Sequence, residues 1–584
     1  MRSVPYLWMF VFCFLLLVGC RKNDQTNNKI QIIATTDIHG SIFSYDFINN
    51  QKTRGSLGAL TKYLDSLKNK DNIEILLFDN GDILQGQPPV YYCNYLDTAN
   101  KHIASRVLNF MNYDAATVGN HDIEPGHAVY DKIKKEFNFP WLAANIINDK
   151  TDQPYFQPYI VIDKAGMKIA VLGMVTPAIP NWLPKEVYSG MYFEDMLISS
   201  KKWVKKIRGQ EQPDLMIGLF HSGLGKLSSK DMKENAVLDI ANKVNGFDII
   251  FYGHDHQQNI LKTENQHGDT VLLINPGANA KKAAVVNVST GKSMNKTYLK
   301  RSKAGFIDLQ KYEPTEEFKM EFEPFKKEIK KFVSNKVAYL PENIFAGNAL
   351  FGPSKWMQLI HKVQLKHAHA DLSFSAPLSI YNKLNDGELT TGDLFEFYRF
   401  RNLLYTIKLS GKEIHDYLEY SYANWFNTMN SSAGHLLNFK LDSNNQPFYS
   451  ENYGHYLLNG TYYNFDSGYG IDYVVDLTKP SGERVQIKSF SNGDPFFPDQ
   501  YYKVALNSYR ANGGGGHLTE GAGLSKSEID QRVMNIRKKD IRYLILEEIQ
   551  KEDTLKINLE KNWKVKPFSW WKETKSKDSL LLFK

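Results

Sequence analysis

Cysteine is nearly absent from this chain, with three residues in 584: Cys13, Cys20 and Cys93. The first two sit in or at the end of an N-terminal apolar run, so Cys93 alone remains in the body of the protein. That excludes an intrachain disulfide there. It also excludes a thiolate metal site, so any metal centre must draw on His, Asp, Asn or Glu. Charge of one sign is scarce as well. Against 71 Lys+Arg stand 64 Asp+Glu, a formal +7 over the whole length. The bases are interleaved with acids, as in Lys326-Lys327-Glu328-Ile329-Lys330-Lys331. Without a basic stripe, no nucleic-acid polymer is expected as a partner. Long hydrophobic runs are missing except at the start, and no internal repeat stands out.

What is there begins at that start. Arg2 precedes an apolar stretch from Val4 to Val18 that is too short and too N-terminal for an ordinary spanning helix. It reads as a signal peptide over residues 1–20. Its end, Leu17-Val18-Gly19-Cys20, fits a bacterial lipobox, in which Cys20 is acylated, and a polar tether follows over 21–29. The expectation is an exported bacterial lipoprotein, membrane-anchored and facing the periplasm or the cell surface. At 584 residues, 42% of them hydrophobic and 23% charged, the remainder is folded and too long for one core.

From 30 to 312 short apolar strands alternate with helical stretches. The strands are Ile30–Ala34, Ile73–Phe78, Ala115–Val118, Lys168–Val175, Leu215–Phe220, Asp248–Tyr252 and Thr270–Ile274. Several are continuous apolar runs, the mark of strands buried on both faces, so an α/β layered domain is predicted. A charged helical connector is predicted over 313–339. The segment 340–565 is Tyr-rich with Asn, Gly and Ser loops and reads as a second, α+β domain. The tail, 566–584, carries no clear signal.

Ligand-type residues follow five of the strands: Asp37-Ile38-His39, Asp79-Asn80-Gly81-Asp82, Gly119-Asn120-His121-Asp122, His221-Ser222-Gly223 and Gly253-His254-Asp255-His256. In α/β sheets, sites form beyond the carboxyl ends of strands, so five such loops can converge on one rim. The x-spaced pairs Asp37/His39 and His254/His256 aim both side chains the same way from an extended segment. Imidazole and carboxylate without thiolate suit Zn, Mn or similar divalent ions. Two cations about 3.5–4 Å apart require a shared anionic ligand, and Asp82 is the candidate. The stray histidines His367, His369 and His517 read as structural or solvated.

These blocks resemble the calcineurin-like metallophosphoesterase family, and within it the bacterial 5′-nucleotidase / 2′,3′-cyclic-nucleotide 2′-phosphodiesterase (3′-nucleotidase) branch. The likeness covers nearly the whole mature chain. It implies a four-layer β-sandwich flanked by helices plus a C-terminal nucleotide-binding α+β domain, two divalent metal ions, and a monomer acting on nucleotides. Carried over, one metal is held by Asp37, His39, Asp82 and His256, the other by Asp82, Asn120, His221 and His254. His121 faces the phosphoryl group. Glu124 stands where the 5′-nucleotidases place an Asp that pairs with that His. Phe400 and Asn402, in Phe400-Arg401-Asn402, resemble the segment whose Phe stacks on the base. Tyr509, in the segment Asn507 to Gly516, resembles the second stacking aromatic.

Two departures from the 5′-nucleotidases bear on the substrate. Gly515 stands where those enzymes carry an acid for the ribose hydroxyls, and Ser375-Ala376-Pro377-Leu378 runs without their phosphate-binding arginines. Together with the segment Asn464 to Tyr473, these favour a cyclic phosphodiesterase/3′-nucleotidase. The alternatives are a 5′-nucleotidase or UDP-sugar hydrolase on the same scaffold, and a nucleotide-binding lipoprotein without catalysis.

Overall fold

The computed structural model describes residues 29–68, 70, 73–226, 233–293, 296–451 and 454–583. Cys20, the signal peptide and nearly all of the tether lie outside these residues.

The first half is built on two six-stranded sheets. In chain order its strands are β1 (Lys29–Thr35), β2 (Ile73–Asp79), β3 (Ala115–Thr117), β4 (Trp141–Leu142), β5 (Tyr159–Lys164), β6 (Met167–Val175), β7 (Leu215–His221), β8 (Ile249–Tyr252), β9 (Asn259–Glu264), β10 (Thr270–Asn275), β11 (Lys282–Ser293) and β12 (Lys296–Asp308). One sheet has the order β12-β11-β1-β2-β3-β4, the other β9-β10-β8-β7-β6-β5. The central pairs β1/β2, β2/β3, β6/β7 and β7/β8 are parallel.

Alternation along β1 explains why its sequence is apolar throughout. Ile30, Ile32 and Ala34 point between the sheets, where they meet Leu76, Phe78, Val171, Ile217 and Phe251. Ile33 points outward into a cluster with Leu57, Leu60, Leu77 and Phe318. The outer face of the second sheet is covered in the same way, Leu172, Met216 and Ile250 packing against Met196, Trp203 and Ile207. The layers therefore run helix, sheet, sheet, helix, as the family resemblance implied.

Three of the helices in the outer layers show how they form. Helix α1 (Leu57–Leu67) is started by Ser56, whose side chain accepts from the Ala59 N–H. The second, α2 (Met196–Gln210), is capped by Asp195. The predicted connector is α3 (Glu316–Val333), with Thr315 as its cap, acids in the first turn and lysines in the last. Its Phe318, Phe322, Phe325, Ile329 and Val333 recur at helical spacing and are buried in the core of the first half. Two residues later the strand Lys336–Leu340 already pairs with Gly387–Thr390 in the second half.

The second half centres on a five-stranded sheet. Its relevant strands are β13 (Leu372–Ser375), β14 (Leu403–Ser410), β15 (Ser467–Tyr469), β16 (Ile471–Asp476), β17 (Val485–Phe490), β18 (Tyr501–Asn507), β19 (Val533–Asp540) and β20 (Trp563–Lys566). The main sheet has the order β15-β13-β18-β14-β19, and β17-β16-β20 form a smaller one. The tail is structured where the sequence carried no signal. Strand β20 runs parallel to β16, and the helix Phe568–Phe583 buries Leu582 in the core of the second half. Its Asp578 accepts from the Leu437 N–H at 2.9 Å and meets His435 Nδ1 at 2.6 Å.

Candidate metal centre and substrate cleft

The parallel strands bring their carboxyl ends to one rim, and all five ligand-bearing segments meet there. The backbone is unusual at this rim. Asp37, His39, Asp82, His254 and His256 all have positive φ, between 47° and 74°. Non-glycine residues rarely adopt that region, and a cluster of such residues marks a site held in shape by its surroundings. Two glycines allow the closest approaches. A Cβ on Gly119 would lie 2.1 Å from Asp82 Oδ1, and one on Gly253 would lie 2.1 Å from Thr36 Oγ1.

Asp37, His39 and His256 bring ligand atoms within 4.8 Å of one another, and so do Asp82, His221 and His254. The groups adjoin, since His221 Nε2 lies 3.0 Å from Asp82 Oδ2 and 3.9 Å from Asp37 Oδ1. Asn120 Oδ1 is 2.9 Å from His254 Nδ1. All seven sequence-predicted ligands are thus brought together.

The donors fit divalent cations. The Nδ1 atoms of His39 and His221 face the carbonyls of Gln85 and Asn80 at 3.2 and 2.7 Å. Each Nδ1–H donating there leaves an Nε2 lone pair for a metal, the usual way in which a backbone carbonyl sets a ligand's tautomer. His221 Nε2 is buried and faces the Asp82 carboxylate. His39 Nε2 and His256 Nε2 face each other at 3.0 Å, an arrangement a shared cation satisfies. The electrostatics agree. Burial would push both carboxyls up, but His221 above all holds Asp37 below and Asp82 well below the ordinary carboxylate range. Burial lowers His39 to about 4. His221, against its burial, is raised to about 10 by Asp82 and Asp37. The rim is a buried anionic cradle that draws positive charge.

His121 stands at the open side. Its Nδ1 lies 2.7 Å from Glu124 Oε2, because the short helical turn Asn120–Ile123 places residues three apart on one face. Despite burial, Asp82 and Glu124 raise His121 to about 9. His121, Glu124, Asn120 and His254 line a cavity of about 350 Å³ together with Phe400, Asn402 and Tyr509. The substrate residues predicted from the second half therefore share one space with the candidate metal ligands.

Several residues that shape this space escaped the sequence reading. The buried Asp122 carboxylate accepts from the N–H groups of Asp82, Ile83, Leu84 and Gly119, at 2.8 to 3.0 Å, pinning two ligand loops to each other. Glu234 Oε1 lies 2.9 Å from His254 Nε2. Arg401 reaches across from the second half and donates to the Glu124 carbonyl at 2.9 Å, its guanidinium stacked over Tyr95. Trp182 and Tyr463 add aromatic lining. Each depends on a tertiary partner that spacing along the chain does not show. Of the stray histidines, His517 is buried against Tyr417 and Tyr420, His367 pairs with Glu548, and His369 ends a helix in the left-handed conformation.

Known families divide the chain in the same way. Residues 30–258 match the calcineurin-like phosphoesterases, and 336–520 match the 5′-nucleotidase C-terminal domain. The chain is a calcineurin-like phosphoesterase with a 5′-nucleotidase C-terminal domain. This phosphoesterase is 26% identical over 92% of its length to the trifunctional nucleotide phosphoesterase YfkN of Bacillus subtilis, of which it spans only 39%. It is 26% identical to the 2′,3′-cyclic-nucleotide 2′-phosphodiesterase/3′-nucleotidase of Salmonella typhimurium, covering 85% of this chain and 83% of that one. A Staphylococcus aureus crystal structure shares the fold with a TM-score of 0.72 at 20% identity, covering 92% and 99% of the two chains. Phosphoesterases of this family are metal-dependent hydrolases, and this chain brings together two residue clusters that could hold metal ions.

Proposed function

We propose that this phosphoesterase hydrolyses nucleotides outside the cytoplasm with a preference for phosphate on the 2′/3′ side, as a 2′,3′-cyclic-nucleotide 2′-phosphodiesterase/3′-nucleotidase. The supporting observation is the single cavity that carries candidate metal ligands on one wall and Phe400, Asn402 and Tyr509 on another. Asp37, His39, Asp82 and His256 would hold one divalent cation, and Asp82, Asn120, His221 and His254 the other. Such a pair supplies Lewis acidity toward a phosphoryl oxygen and toward the attacking water. His121 faces the phosphoryl group and delivers a proton to the leaving oxygen, with Glu124 fixing its ring. Phe400 and Tyr509 sandwich the base, a mode that accepts any base because each has a π face. The preference for the 2′/3′ side rests on Gly515, where no carboxylate opposes a phosphate, and agrees with the name of the Salmonella relative. Anchoring through acylated Cys20 belongs to the same proposal.

A phosphate-release panel tests it: 2′,3′-cyclic AMP, 3′-AMP, 5′-AMP and UDP-glucose, with Mn or Zn restored after chelation. Preference for 5′-AMP overturns the reading of Gly515. Release that survives chelation sinks the metal assignment, and no release from any nucleotide favours a binding protein. Replacing Asn120 or His254 by Ala should abolish turnover in a folded protein. Substituting Cys20 should release the protein from the membrane fraction.

A further inference from the structure

Arg510 follows the stacking candidate Tyr509 directly, yet it does not face the cleft. It is 1% exposed, and every guanidinium nitrogen is satisfied. Nε and Nη2 donate to the two oxygens of Asp466 at 3.0 and 2.8 Å, Nη1 to Asn464 Oδ1 and the Gly514 carbonyl at 3.0 Å each, and Nη2 also to the Tyr463 carbonyl at 2.8 Å. Asp466 is itself buried and also accepts from the Tyr417 hydroxyl. One side chain thus ties the loop before β15, which carries Tyr463, to the loop after β18, which carries Tyr509. Both tyrosines line the cleft. A guanidinium in a fixed bidentate fork is a rigid cross-link of a kind a lysine cannot form.

The same guanidinium decides what the glycine run can hold. A Cβ on Gly515 would sit 2.4 Å from Arg510 Nη1 and 2.6 Å from Asn464 Oδ1, and the residue has φ +74°. A Cβ on Gly514 would meet the Tyr509 ring at 2.4 Å. Positions 514 and 515 are therefore bare because the ring and the clamp occupy their side-chain space.

We propose that the buried Arg510–Asp466 pair is a specificity-determining device, positioning Tyr463 and Tyr509 as one preformed wall of the nucleoside site and excluding a carboxylate from position 515. Arg510 touches no substrate; it is a positioning residue. The inference rests on the nucleotide reading above.

The test compares 3′-AMP with bis(p-nitrophenyl) phosphate, an ester without a base, on the metal-reconstituted full chain. Variants are Asp466→Asn, Arg510→Met and Gly515→Ala, the last changing neither member of the pair but pushing Arg510 aside through its Cβ. The expected result is a rise in KM for 3′-AMP of about tenfold, the scale of losing one base–aromatic stack, with kcat on the baseless ester within about twofold of wild type. Unchanged KM in a folded variant, or equal losses on both substrates, overturns the proposal. Should the two clamp variants fail to fold, Gly515→Ala decides alone, because its Cβ must displace Arg510. If the wild type prefers 5′-AMP, the functional reading fails, and KM for 5′-AMP tests the wall in the same way.

Discussion

Asp122 offers the sharpest test of how the metal loops are held. Each of its oxygens takes two backbone N–H groups: Oδ1 those of Ile83 and Leu84, Oδ2 those of Asp82 and Gly119. Asp122→Asn keeps the shape but turns one acceptor into a donor, so two N–H groups then face an NH₂. Two lost hydrogen bonds to a charged group, at roughly 1.5–3 kcal/mol each, predict a loss of about 3–6 kcal/mol. The consequence is local as well as global. The Asp82 and Gly119 amides are held by the same oxygen, and Gly119 adjoins Asn120, so both ligands lose their common anchor. Urea unfolding measures the first effect, and metal stoichiometry after dialysis against a weak chelator the second. A variant that unfolds at wild-type urea concentration and retains both metals with full turnover would refute the reasoning.

Three further outcomes follow from the same geometry. Arg401→Gln removes the bond to the Glu124 carbonyl and should lower kcat several-fold on nucleotides and baseless esters alike, since it acts through Glu124 on His121; wild-type kcat would contradict this. Burial holds His102, His361 and His517 down at about 3. Above pH 6.5 these rings are neutral folded or unfolded and contribute nothing. As pH falls from 6.5 toward 3 the unfolded chain takes up protons that the folded one refuses, so stability should fall by up to about 1.4 kcal/mol per pH unit for each ring. Melting temperatures across that window check the sign. Asp578→Ala unpairs the Leu437 amide and His435 and should cost about 3 kcal/mol while leaving KM and metal content unchanged; enzyme assays beside urea unfolding separate the two.

The convergence of the candidate ligands was legible because two local signals coincide, a continuous apolar run and then a ligand-type residue at its end. The His121–Glu124 contact was foreshadowed by the family resemblance, which sets an acid three residues after the His. Residues whose partner lies far along the chain left no such trace. Asp122 reads as part of a motif, but its four N–H donors are set by how β2 and β3 lie side by side. Arg510 and Asp466 are 44 residues apart, and nothing local says that both turn inward. The tail was opaque for the same reason. The strand Trp563–Lys566 is short, and its partner β16 ends almost ninety residues earlier. The periodicity of Phe318, Phe322, Phe325 and Ile329 announces a buried face on α3 without saying which half it belongs to.

The place where α3 stops has a consequence for the whole machine. The buried apolar clusters of the first half end with Val333, and those of the second begin with Val337. Among the described residues the chain crosses between them once, through Ser334 and Asn335, and the Asn335 carbonyl is already bound by the Thr391 N–H at 2.9 Å. The protein is thus two separately cored pieces joined by one short link. Expressed as fragments cut there, each piece keeps its own apolar interior, and what the cut removes is the covalent tie that keeps Phe400 and Tyr509 beside the candidate metal ligands.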